Sequence, residues 1–169
     1  NEAMTSILKM LESENSFTKI VDDILKDACE YLGISAGALL RENQEQKTVD
    51  MICEYAGGGR EPQMAKEQGV PKEELPFFNG KPYMISSDSM MPEGFASLFA
   101  QKKLTAAVFL PVEVNGHAGM YLCLSEREKK KKRENADVKF INDVKRIIQT
   151  ILTKRITKNS LASSYASLE

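Results

Sequence analysis

The chain has 169 residues, 42% of them hydrophobic and 28% charged, proportions of a globular protein and too apolar for a disordered one. Lysine plus arginine number 23 against 24 aspartate plus glutamate, so no global field draws it onto nucleic acid or an anionic membrane, and neither is expected as a partner. The longest uncharged apolar run, Leu104 to Val112, is about nine residues, far short of the roughly 20 that a bilayer span requires.

Cys29, Cys53 and Cys123 are an odd count without CxxC spacing. That fits neither a disulfide framework nor a zinc site, and it implies a reducing, cytoplasmic setting. His117 is the one histidine. A metal needs three or four convergent ligands, so no metal is expected.

Residues 4 to 12 (MTSILKMLE) carry Ile7, Leu8, Met10 and Leu11, which predicts a short connecting helix within residues 1–15 that continues from something upstream. Asn15 and Ser16 offer an N-cap for a second helix. Its apolar stripe is Phe17, Ile20, Val21, Ile24, Leu25, Ala28, Cys29 and Leu32, and Gly33 ends it. Residues 35 to 42 (SAGALLRE) and 48 to 56 (TVDMICEYA) follow as strands around a polar turn at Asn43 to Lys47, the pattern of a hairpin.

Residues 57 to 82 hold Gly57, Gly58, Gly59, Pro62, Gly69, Pro71, Pro76, Gly80 and Pro82. No long helix or central strand can run through them, and residues 57 to 81 are expected to be the least protected from hydrogen exchange. Gly57-Gly58-Gly59-Arg60 matches no phosphate-binding pattern and reads as a flexible turn. Tyr83 to Ser86 is a short strand, and Glu93 to Lys102 (EGFASLFAQK) a helix with Phe95, Leu98 and Phe99 turned inward. From Ala106 to Ser125 two strands flank Asn115-Gly116, the dipeptide that best tolerates a tight hairpin turn. Arg127 to Arg133 (REKKKKR) lacks interleaved aromatics and reads as a solvated loop. Asp137 opens a long helix with Val138, Ile141, Val144, Ile147, Ile148, Ile151, Leu152 and Ile156 on its apolar face.

Helix, hairpin, long loop, short strand, short helix, hairpin, long helix is the order of a GAF domain. Over residues 16–152 the chain resembles that family, in Leu75 to Ser87 (LPFFNGKPYMISS) and in Leu104 to Ser125 (LTAAVFLPVEVNGHAGMYLCLS), with Pro111, Gly116 and Gly119 at the matching places. The resemblance implies an α+β fold: an antiparallel sheet of five or six strands, the N- and C-terminal helices packed on one face, and a small-molecule pocket on the other. Met84, Ser86, Phe95, Phe99, Phe109 and Tyr121 are the candidate pocket residues, with Met90 and Met91 beside them; the same set also reads as plain core.

The family implies a bacterial regulatory input domain that precedes an output domain such as a diguanylate cyclase or histidine kinase, and no catalytic site of its own. One member reduces methionine sulfoxide with loop cysteines, whereas the three cysteines here fall in a helix and two strands. Phytochrome-like members attach a bilin through a cysteine near the lid, and residues 57 to 105 contain none. The cyclic-nucleotide pattern is also missing, so the cofactor is left open. Phe140, Val144, Ile147, Ile151, Lys154, Lys158, Leu161, Tyr165 and Leu168 alternate by four and three residues, the spacing of a two-stranded helical seam. Residues 153–169 are therefore expected to form a signalling helix and a homodimer contact; a ligand-free dimerisation module is the alternative function, and a thiol-dependent reductase of the GAF family the second alternative.

Overall fold

The computed structural model describes residues 2, 16–57, 69–75, 78–88, 90–91, 93–114, 116–127 and 135–168, without the side chains of 94, 95, 98 and 156–168. The connecting helix expected within residues 1–15, the glycine run 58–59 with Arg60, and residues 128–133 of the basic loop lie outside the described residues.

Helix α1 (Phe17–Leu32) begins where Ser16 caps it, its side chain accepting the Lys19 backbone N–H at 3.4 Å. It ends in a Schellman turn. Gly33, at φ 66°, donates to the Glu30 carbonyl, and the Ile34 N–H donates to Cys29 at 2.9 Å, so two orphan carbonyls are satisfied. The stripe read from sequence is the buried face: Ile20, Val21, Ile24, Leu25, Ala28, Cys29 and Leu32.

Six strands follow: β1 (Ala36–Asn43), β2 (Thr48–Ala56), β3 (Val70–Pro71), β4 (Tyr83–Ser86), β5 (Ala106–Val114) and β6 (His117–Glu126). They form one antiparallel sheet in the order β3-β2-β1-β6-β5-β4. Helix α2 (Glu93–Gln101) links β4 to β5, and α3 (Asn135–Leu168) closes the chain. Pro111 sits inside β5, yet β4 pairs with β5 only as far as Phe109. Its missing N–H therefore falls beyond the end of β4, where no ladder bond is lost.

β1 and β2 are not in simple register. Leu39 faces Cys53 and Leu40 faces Met51, which leaves Ile52 as an extra residue. This bulge turns Val49 and Met51 to one face of the sheet and Cys53 and Tyr55 to the other. Glu54 lies opposite Ala38 and so shares the face of Met51. The Asp22 carboxyl on α1 accepts the backbone N–H of Glu54 from the helix side, and burial raises its pKa above the ordinary aspartate value.

One face is covered by α1 and α3. Ile24, Leu25, Leu39, Val112, Leu122, Val144 and Ile148 are nearly or fully buried between them. Gly37 lets α1 come this close: a Cβ there would stand 2.9 Å from Cys29 Sγ and 3.3 Å from the Leu124 and Leu25 methyls. The Glu113 N–H donates to Gln149 Oε1 at 3.0 Å, tying β5 to α3.

Helix α3 starts two residues before the expected Asp137 and runs 34 residues, about 51 Å at 1.5 Å per residue. The longest strand has ten residues, about 33 Å. Val138 departs from the sequence reading. It is 48% exposed, because the core-facing stripe of α3 runs through Phe140, Val144, Ile148, Ile151 and Leu152 and leaves Val138 outside it.

Candidate functional site

The second buried cluster lies on the sheet face opposite α1 and α3. Its floor includes Ala38, Met51, Ile85, Phe109, Tyr121 and Cys123, and Phe78 and Phe99 close over them. Phe78 arrives from the glycine- and proline-rich connection and packs on Tyr121 with ring centroids 4.5 Å apart. The Tyr121 hydroxyl, on a residue with no exposed surface, accepts the Gly80 backbone N–H. One tyrosine thus holds the connection down by ring and hydroxyl together.

Of the candidate pocket residues, Phe99, Phe109 and Tyr121 come together here, at 4%, 4% and 0% exposure. Met84 does not. It is 80% exposed and sits opposite Val108, whose neighbours belong to the helix-side cluster. Alternation along β4 aims Tyr83 and Ile85 at the second cluster and Met84 the other way, and β4 is an edge strand. Ser86 shares the face of Met84 and is half-buried. Phe95 lies in α2, but its side chain is outside the described residues. Met90 is fully exposed, and Met91 packs against the second cluster.

Sequence reading missed Phe78, Glu54 and Lys102. Lys102 is only 7% exposed; its one signal is a position three residues after Phe99, on the inward stripe of α2. Burial pushes the Cys123 thiol up to about 12, helped by the nearby Cys29 and Glu54 and opposed by the Lys102 ammonium. Burial likewise takes Cys29 and Cys53 to about 12. Such thiols are almost wholly protonated at neutral pH and are poor nucleophiles.

Beside α2 the surface opens into a groove of about 260 Å³ lined by Ser87, Met91, Ala96, Phe99, Ala100 and Leu104. Phe99 belongs both to this groove and to the buried cluster behind it. His117 lies far along the sheet from it, exposed, with Nε2 2.8 Å from the side-chain nitrogen of Gln44. Among the described residues no group of three or more His, Cys, Asp or Glu side chains is placed to hold a metal ion. No helix among them is long and apolar enough to cross a membrane.

No protein-family sequence model matches the chain, and no curated protein matches it in sequence. Solved structures do match in shape. A phycoerythrobilin-bound GAF domain from a cyanobacterial phytochrome superposes with a TM-score of 0.76 at 9% identity, covering 94% of this chain and 96% of that one. The fold is that of a GAF domain. The PixJ GAF domain of Thermosynechococcus elongatus, in its blue-light-absorbing form, gives 0.71 at 9% identity over 97% and 95% of the two chains. Residues 122 to 287 of a methyl-accepting chemotaxis protein give 0.67 at 14% over 91% and 98%. At such identities the likeness is one of fold. It accounts for the six-stranded antiparallel sheet, the helices α1 and α3 on one face, and the second cluster on the other.

Within this GAF fold the Tyr121 hydroxyl has a measurable role. Tyr121→Phe keeps the ring and removes the acceptor, leaving the Gly80 N–H without it. A loss of about 1–2 kcal/mol is expected, with faster hydrogen exchange confined to Gly80 and its neighbours. Unchanged exchange at Gly80 would show that the hydroxyl does not hold the connection.

Proposed function

We propose that this chain is the regulatory input domain of a larger signal-transduction protein: a small molecule bound beside α2 biases the sheet, and the terminal helices carry the bias to an output domain. The observation that supports this most is the division of the core by the sheet. One cluster borders the groove, and the other is built on α1 and α3. The two faces meet just past the β2 bulge, where Glu54 shares the groove-side face while its backbone N–H is held by Asp22 of α1. The phytochrome and chemotaxis proteins of the same fold are signalling proteins by name. The buried thiols and the cyanobacterial company support a bacterial cytoplasm as the setting and speak against the thiol-reductase alternative. A thermal-shift screen with nucleotides, amino acids, bilins, haem and small aromatics tests the reading, because a ligand that binds only the folded state raises its melting temperature. A screen without a single shift would refute it.

The ligand-free dimerisation module has one observation in its favour: Phe78, Phe99, Phe109 and Tyr121 fill the second face with the chain's own side chains. Both readings call for a homodimer through α3, since its last 16 residues, 153–168, run on past Leu152, the last residue of its buried core. Light scattering on this chain and on one ending at Thr153 is expected to give a dimer and a monomer. A full-length monomer, or a truncated chain that dimerises equally well, would sink the helical contact.

A further inference from the structure

We propose that the groove beside α2 takes a small, uncharged ring compound of about the size of indole, which deepens and rests on the small-molecule reading above. The groove's volume of about 260 Å³ falls just under the roughly 300–1,000 Å³ of pockets that take drug-sized ligands, so its occupant is a small compound. None of the six described residues that line it is ionisable. A charged ligand would surrender hydration and gain no counter-charge there. Ala96 and Ala100, one helical turn apart, form a wall of methyls against which a flat ring can lie. Phe99, Leu104 and Met91 supply apolar and thioether contacts, which suit an aromatic partner. Among the described lining residues Ser87 carries the one polar side chain, and its hydroxyl matches one ring N–H or O–H.

The rim is also built rather than incidental. Lys103 adopts a left-handed φ of 56°, uncommon for a residue with a side chain. It completes a second Schellman turn: the Lys103 N–H donates to Ala100 and the Leu104 N–H to Phe99, each at 3.0 Å. That motif brings Leu104 back against Phe99, and both side chains line the groove. On the other side the Ser87 N–H donates to the Thr105 carbonyl at 2.8 Å, which fixes the Ser87 backbone beside the end of α2.

The test is a titration of the whole chain with indole and with its charged relative indole-3-acetate, read by melting temperature and by amide chemical shifts. Indole is expected to bind with a Kd on the order of 0.1–1 mM. At tenfold excess over Kd it should raise the melting temperature by about 3–6 °C, with the largest chemical-shift changes at Ser87 and from Ala96 to Leu104. Indole-3-acetate should bind at least tenfold more weakly. Ala100→Phe, at an exposed helical position where the fold tolerates bulk, should abolish the indole effect, and Ser87→Ala should weaken it about three- to tenfold. If some charged compound from the screen raises the melting temperature undiminished by Ala100→Phe while indole does nothing, the groove assignment is wrong and the input-domain reading stands. If no compound raises it, both fall.

Discussion

Gly37→Ala is expected to lower stability by about 1–3 kcal/mol and Gly37→Val by more, since forcing extra atoms into a packed core costs about that much per step. The reason is specific. The added Cβ would meet Cys29 Sγ at 2.9 Å, a separation that cannot persist, and two leucine methyls at 3.3 Å. Either α1 lifts off the sheet or Cys29 changes rotamer. For a chain of this size each kcal/mol moves the melting temperature by about 2–4 °C, so the alanine variant should melt roughly 2–12 °C lower. Cys29→Ala removes the offending sulfur, and the double variant should recover at least about 1 kcal/mol relative to the sum of the two single changes. Strict additivity would show that the contact between α1 and β1 is looser than the geometry states. Because α1 is the proposed route out of the domain, the same variants alter how tightly that helix follows the sheet.

The second large effect is alkaline unfolding. Burial pushes the Cys29, Cys53 and Cys123 thiols up to about 12 in the folded chain, well above the roughly 8.5 of a free thiol. Folding therefore favours the protonated thiols. Their contribution is fully present below about pH 9 and is lost as the pH rises from there toward 12. Linkage sets the size at roughly 1 kcal/mol per thiol for each pH unit in that window. Burial also raises the Tyr55 hydroxyl, adding in the same direction. Urea midpoints should stay flat from pH 7 to 8.5 and then fall steeply. Cys123→Ala should shift the whole curve down but flatten its alkaline slope relative to the parent, and that difference isolates the thiol from lysine titration. Brief iodoacetamide treatment of the native chain at pH 8 should leave all three cysteines unlabelled. Rapid labelling of any one of them would restore thiol chemistry as a candidate activity.

What could be read from the sequence was what is decided locally. Ser16 and Gly33 bound α1 by capping chemistry, Gly116 at φ 76° precedes β6 in the hairpin, and the four residues of β4 were legible between Pro82 and Ser87. The face of Cys53 was not. TVDMICEYA is compatible with a straight strand, and only pairing with β1 extrudes Ile52 and sends Cys53 to the helices while Glu54 turns to the other side. β3 is two residues long and exists because Thr48 and Val49 pair with it, which no local pattern encodes. Met84 entered the candidate set because methionine suits pockets; its place one residue off the Tyr83–Ile85 alternation at a sheet edge decided otherwise. Phe78 was hidden in a stretch whose glycines and prolines read as loop, although Phe77-Phe78 was an apolar signal there. Groove residues Ser87 and Leu104 depend on how α2 folds back, and that in turn rests on a left-handed Lys103 that composition does not announce.

The central claim, that occupancy beside α2 is felt by the terminal helices, is tested most directly by amide hydrogen exchange on the whole chain with and without the compound that gives the largest thermal shift. The expected result is slowed exchange in two separate places, at Ser87 with the end of α2, and along α3 from Thr153 to Leu168, the part of that helix that runs on past its buried core. The amide of Glu54, two residues past the bulge and bonded to Asp22, should change with them. Protection limited to the groove, with α3 and the Glu54 amide exchanging as in the free chain, would contradict the account and leave a binding domain that signals nothing through its helices.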